Sequence, residues 1–300
     1  MRLSIARKER MTKQFEDLLS SLPVITDGAW GTQLQGLGLA AGDCPDEWNL
    51  THPDRVRSVA ARYVDAGSRV ILTNTFGGNR ISLVGHGLAE KAEAINRAGV
   101  LISREAAGTR ALVFASIGPT GKMLMSGDVS EAEMAGAYGD QARVLAAAGA
   151  DALVIETMSD LEEASIAVRA AKATGLPVVA SMVFDSGKDR DRTMMGSTPE
   201  QVAAALSEAG ADVIGANCGL GMEGYIPIGK RLRAATKKPV WIKPNAGLPE
   251  LSNGVITYKT TPEEFARQAV ALRDAGVAFI GGCCGTSPLF IAALSAALKH

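Results

Sequence analysis

Four times along this sequence an Ala-Gly pair closes a helix-like stretch and a short apolar run follows it. The pairs are Ala66-Gly67, Ala148-Gly149, Ala209-Gly210 and Ala275-Gly276; the runs are residues 70–73, 152–156, 213–216 and 278–281. Gly suits the position just past a helix because the left-handed conformation costs it little. Apolar residues at consecutive positions fit strands covered on both faces, as in a parallel sheet. Four further runs, 24–27, 111–117, 178–182 and 240–243, read the same way. The segments between them open like helices. Ser130 with Glu133, Ser159 with Glu162, Thr198 with Gln201 and Thr261 with Glu264 have capping-box spacing. Pro53, Pro199, Pro262 and Pro288 suit a first helical turn, where a missing N–H costs nothing. Val56, Val59, Ala60, Tyr63 and Val64 form one apolar stripe. Eight strand–helix alternations predict an α/β chain folded as a (β/α)8 TIM barrel, typically ~250 residues. A doubly wound sheet is the rival, but no Gly-x-Gly-x-x-Gly follows the first strand. The expected layout is a single barrel domain over residues 23–300, with residues 1–22 as a helical lead-in.

Composition removes several classes of function. Thirty-one basic side chains against 32 acidic ones leave a net charge of -1, which gives no footprint for nucleic acid. Aromatic residues make up 5% of the chain, too few to suggest base-stacking surfaces. No apolar run approaches the ~18 residues of a membrane span. The first ten residues are too charged for a signal peptide, so a cytoplasmic protein is expected.

In such a barrel the residues just past the strands' C-terminal ends face the active site. Three of the four cysteines, Cys218, Cys283 and Cys284, fall at the ends of the sixth and eighth barrel strands. Three thiolates with an open fourth position suit catalytic zinc. Small buried hydrophobes, or a redox-active vicinal pair, are the competing readings of the same residues. The histidines His52, His86 and His300 lie at no strand end, which disfavours an imidazole-based metal site. Cys44, in a polar loop before Trp48, reads as structural. Asp27 and Glu156 are strand-end carboxylates that can accept from an ammonium group, or serve as a helix cap and a solvated strand end. Lys243 could form a Schiff base with a carbonyl substrate, although that chemistry leaves the three cysteines without a role.

The segments Asp27-Gly28-Ala29-Trp30-Gly31-Thr32, Thr73-Asn74-Thr75-Phe76-Gly77-Gly78-Asn79, Asn217-Cys218-Gly219 and Gly281-Gly282-Cys283-Cys284-Gly285-Thr286 resemble the signatures of the homocysteine S-methyltransferase family. Ile117-Gly118-Pro119-Thr120-Gly121 and Pro244-Asn245-Ala246-Gly247-Leu248-Pro249 extend the likeness, which is greatest to the homocysteine-binding barrel of cobalamin-dependent methionine synthases. The resemblance implies a zinc-dependent methyltransferase in which Cys218, Cys283 and Cys284 hold Zn2+ and the metal binds the homocysteine thiolate. It also implies that Asp27 and Glu156 take the homocysteine amine, with the backbone N–H groups of Gly28 and Ala29 as candidates for its carboxylate. Gly77 stands where betaine-using members carry a tyrosine, so betaine is disfavoured. The sequence has no Asp-x-His-x-x-Gly corrinoid-binding segment. A methyl-corrinoid donor is therefore expected on a separate protein docking at the barrel mouth. The alternatives are S-methylmethionine or betaine as donor, or a non-catalytic zinc- or dithiol-sensing barrel subunit.

Overall fold

The computed structural model describes residues 13–252 and 255–298. Helix α1 spans residues 13–19; the earlier part of the expected lead-in lies outside the described residues. Strand β1 (Val24–Ile25) leads to α2 (Gly31–Gly36), α3 (Trp48–Thr51) and α4 (Pro53–Asp65). Strand β2 (Val70–Ile71) is followed by α5 (Arg80–Val84) and α6 (Ala92–Ala107). The alternation then becomes regular: β3 (Leu112–Ile117), α7 (Glu131–Ala148), β4 (Ala152–Met158), α8 (Leu161–Lys172), β5 (Val178–Met182), α9 (Pro199–Ala209), β6 (Val213–Gly221), α10 (Met222–Ala235) and β7 (Val240–Asn245). A small antiparallel hairpin, β8 (Glu250–Ser252) and β9 (Val255–Thr257), precedes α11 (Pro262–Asp274), β10 (Phe279–Ile280) and α12 (Pro288–Leu298).

The large sheet runs in the order β1-β10-β7-β6-β5-β4-β3-β2, and a parallel bridge from Thr26 to Val70 brings its two edges together. The expected (β/α)8 barrel is thus the observed fold. All four Ala-Gly glycines lie in the left-handed region, with φ of 100° at Gly67, 113° at Gly149, 103° at Gly210 and 77° at Gly276. A Cβ there would be strained, so each Ala-Gly pair turns the chain from a helix into the next strand. The stripe on α4 is buried as expected. Ser130 and Thr198 form complete capping boxes. At α8 the spacing misleads by one residue: Asp160 caps the helix, with its side chain accepting from the Glu162 N–H.

Burial divides into two layers. One lies between the strands and the surrounding helices. The other fills the barrel interior and includes Val24, Phe114, Val179, Trp241 and Phe279. Helix α1 packs on this inner layer, its Phe15 ring stacking 6.3 Å from Phe114 and 6.3 Å from Phe279. The lead-in helix therefore packs into the same core as the strands. No helix among the described residues is long and apolar enough to cross a membrane.

Candidate metal and substrate site

Strand β6 ends in an irregular segment that shapes the site. Its register with β7 shifts between Asn217 and Gly221, and Cys218 takes a φ of 63°. A left-handed conformation at a non-glycine residue is uncommon and costs energy that the surroundings must offset. Its consequence here is to bring Cys218 Sγ to 3.8 Å from Cys284 Sγ. Cys283 joins them from the loop after β10, and the three sulfurs lie within 4.8 Å of one another. None is in a disulfide.

Neighbouring side chains fix this arrangement. Asn217 donates to Thr157 Oγ1 at 2.7 Å and accepts from the Thr157 N–H at 2.9 Å and from Ser181 Oγ at 2.6 Å. Its Nδ2 also approaches Cys283 Sγ at 3.9 Å. Tyr225 donates to the Asn217 carbonyl at 2.9 Å. Thr157 is itself left-handed, with φ of 60°, at the shift in register between β4 and β5. Without a metal, hydrogen bonds from the Cys283 and Cys284 thiols hold Cys218 well below the ordinary thiol pKa, while the other two are pushed up. Zinc bound tetrahedrally at ~2.3 Å needs sulfurs ~3.8 Å apart, and the Cys218–Cys284 separation meets that requirement. The donor set and its geometry fit the metal.

A cavity of about 460 Å3 opens beside the sulfurs and is lined in part by Gly28, Ala29, Ser116, Glu156, Thr157 and Lys243. Glu156, on β4, is 7% exposed, and its Oε1 accepts from Ser116 Oγ at 2.5 Å. Burial pushes its pKa up to about 7 despite the opposing pull of Lys243. Asp27 departs from the expected arrangement. It is fully buried, does not line the cavity, and its Oδ2 accepts from Trp30 Nε1 and from the Leu72 N–H, both at 2.7 Å. Its Oδ1 accepts from Lys243 Nζ at 2.6 Å. Asp27 thus meets the cavity through Lys243. The Ala29 N–H donates to Thr286 Oγ1 at 3.1 Å, so this candidate carboxylate donor is engaged.

Burial works against the Lys243 charge, but Asp27 and Glu156 outweigh it and hold the pKa above the ordinary lysine value. An ammonium held in a 2.6 Å ion pair with a buried carboxylate is a poor nucleophile, which weighs against the Schiff-base reading. Sequence reasoning placed Lys243 at a strand end but missed its pairing with Asp27, a contact across 216 positions. Asn217 and Thr157 were also missed as organisers, though Asn217 stood beside a cysteine already singled out.

The outer wall holds Cys44, Asp46, Phe76 and His86. Phe76 is 41% exposed, whereas Asp46 is 3% exposed and accepts from the Gly77 N–H at 3.0 Å. Cys44 is buried, its Sγ 4.0 Å from Asp46 Oδ2.

The chain is similar to proteins of known activity. The chain is 30% identical to methionine synthase of Mycobacterium tuberculosis over 99% of its own length and 26% of that protein's. It is 30% identical to methionine synthase of Mycobacterium leprae, covering 100% of this chain and 26% of the relative. The chain therefore spans about a quarter of the length of these curated relatives. Among solved structures it resembles the metallated form of the homocysteine methyltransferase MmuM from Escherichia coli, with a TM-score of 0.78 and 25% identity over 93% of this chain and 98% of that one. A family model described as homocysteine S-methyltransferase matches residues 24–298, and the chain belongs to that family.

Proposed function

We propose that this chain transfers a methyl group to the thiol of homocysteine to give methionine, with zinc held by Cys218, Cys283 and Cys284. One observation carries the reading: three converging thiols share a cavity with a buried carboxylate and a buried ammonium. Zinc, when bound, would lower the pKa of the substrate thiol so that it reacts as thiolate at neutral pH.

The chain's own residues do the rest. Glu156 Oε1 is occupied by Ser116, which leaves its second oxygen for the substrate ammonium. Asn217 keeps Thr157 and Cys283 in place through its amide. The Asp27–Lys243 pair sets the charge of the cavity floor. In the transfer a sulfur–carbon bond forms as the donor–carbon bond breaks, and the departing donor keeps the electron pair.

We favour a methyl-corrinoid donor carried on a separate protein that docks at the barrel mouth. The likeness to methionine synthases and Gly77 in the loop after β2 support this choice. Asp46 favours a second reading. It is a buried carboxylate in the outer wall with no cation paired to it among the described residues. A positively charged sulfonium or quaternary ammonium donor, such as S-methylmethionine or betaine, would supply that charge.

A donor panel tests both. Zinc-loaded chain and homocysteine are incubated separately with methylcobalamin, a methylated corrinoid protein, S-methylmethionine and betaine. Methionine from the corrinoid sources is expected, and methionine from an onium donor alone would establish the second reading. Cys218→Ala and Cys283→Ala should lose both zinc and turnover while remaining folded. Unchanged zinc content in both variants would remove the metal assignment.

A further inference from the structure

We infer that the Lys243 ammonium pairs with the α-carboxylate of the substrate, so that the cavity selects a complete amino-acid zwitterion rather than any thiol. The inference rests on the homocysteine reading above and adds a recognition group to it.

Lys243 lies on β7, is 2% exposed and lines the cavity. An ammonium group has three donors. Only one of them is used among the described residues, in the bond to Asp27 Oδ1. The nitrogen also sits 5.7 Å from the centre of the Trp241 ring, a contact that consumes no donor. Two buried N–H groups are therefore left for a ligand, and leaving them without an acceptor is costly. Lys243 is the one Lys or Arg among the described residues of the cavity wall.

What the ligand must be follows from its neighbours. Asp27 is completed by the N–H groups of Trp30 and Leu72 together with a single donor of Lys243, so it leaves the other two lysine donors unused. Glu156 interacts electrostatically with Lys243 and retains a spare oxygen. In an α-amino acid the ammonium and carboxylate groups are attached to the same carbon. A site for both must present an acceptor and a cationic donor to one cavity, as Glu156 and Lys243 do. The Ala29 amide is engaged by Thr286, and Lys243 offers the carboxylate a charged partner in the same cavity.

Three probe thiols separate the contributions: homocysteine, 3-mercaptopropylamine (no carboxylate) and 4-mercaptobutyrate (no amine). Binding to the zinc-loaded chain is read by calorimetry, independently of turnover. A charge-assisted hydrogen bond makes homocysteine about 10- to 100-fold tighter than 3-mercaptopropylamine in the unmodified protein. Lys243→Met should remove most of that advantage while changing 3-mercaptopropylamine binding less than ~3-fold, because the missing partner is the carboxylate. The double variant Asp27→Asn with Lys243→Met, which buries no unpaired charge, should show the same loss of preference.

Equal losses for both thiols would mean that Lys243 serves Asp27 alone, and would overturn the inference. So would an unmodified protein that binds the two equally well, a result that needs no variant. In either case zinc-dependent thiol binding would persist and the proposed function would stand. If none of the three thiols binds the zinc-loaded chain, both readings fall.

Discussion

Glu156 concentrates the pH behaviour of the site in one side chain. Burial raises its pKa from the ordinary 4.5 to about 7, with Lys243 opposing the shift. Because the folded value is raised, the neutral carboxyl favours the fold below the unfolded pKa, and that contribution disappears as pH rises through about 7. Substrate binding has the opposite requirement, since a carboxylate must meet the ammonium group. Homocysteine affinity relative to 4-mercaptobutyrate, which has no amine and whose thiol likewise stays mostly protonated in this range, should improve ~10-fold from pH 6 to pH 8. Glu156→Gln should flatten that ratio, and a ratio with the same slope in the variant would detach Glu156 from the amine. At this scale the sequence was informative where chemistry sits on strand ends, as with Glu156 and the three cysteines. It was silent on which strand-end groups neutralise each other. Asp27 and Lys243 meet only because closing the barrel brings β1 and β7 onto either side of β10.

Helices and strands were legible to different degrees. The Ala-Gly boundaries and the first-turn prolines marked helix limits because both reflect local backbone chemistry. The ends of β4 and β6 were harder to read. An apolar criterion stops at Glu156 and Ala216, whereas the strands continue to Met158 and Gly221 through left-handed Thr157 and Cys218. Those continuations are held by tertiary hydrogen bonds to Asn217, which no local pattern reveals. A comparable tie fixes the loop after β3. Glu163 on α8 accepts from the Thr120 N–H at 2.8 Å, from Thr120 Oγ1 at 2.7 Å and from Tyr138 OH on α7 at 2.8 Å. Glu163→Ala would leave the two Thr120 donors without an acceptor, while Tyr138 OH keeps the Gly118 carbonyl at 3.3 Å, a loss of about 2 kcal/mol or more. Its denaturant midpoint should fall while zinc stoichiometry is unchanged, because the sulfur ligands come from β6 and the loop after β10. A midpoint equal to that of the unmodified chain would show that water replaces the carboxylate without penalty.

Across the whole barrel, the sulfur cluster joins β6 to the loop after β10, with β7 between them. Such a link could be structural, as in small zinc domains that unfold without metal. The burial pattern argues against that role here. Both the inner layer and the layer beneath the helices are filled by apolar side chains from strands and helices all around the barrel, and the sheet edges are bridged at Thr26 and Val70. Zinc should therefore stabilise the fold only as a bound ligand does. Free metal at a thousand times its Kd adds ~4 kcal/mol. A chain of 300 residues unfolds with an entropy of roughly 0.6 kcal/mol/K, so chelation should lower Tm by roughly 6 °C. Far-UV circular dichroism at 25 °C should be the same before and after chelation. A variant with Cys218, Cys283 and Cys284 all replaced by Ala should melt near the chelated protein and ignore added zinc. Loss of the far-UV signal on chelation at 25 °C would make the metal part of the fold, and the barrel's apolar layers would then be insufficient to hold it closed.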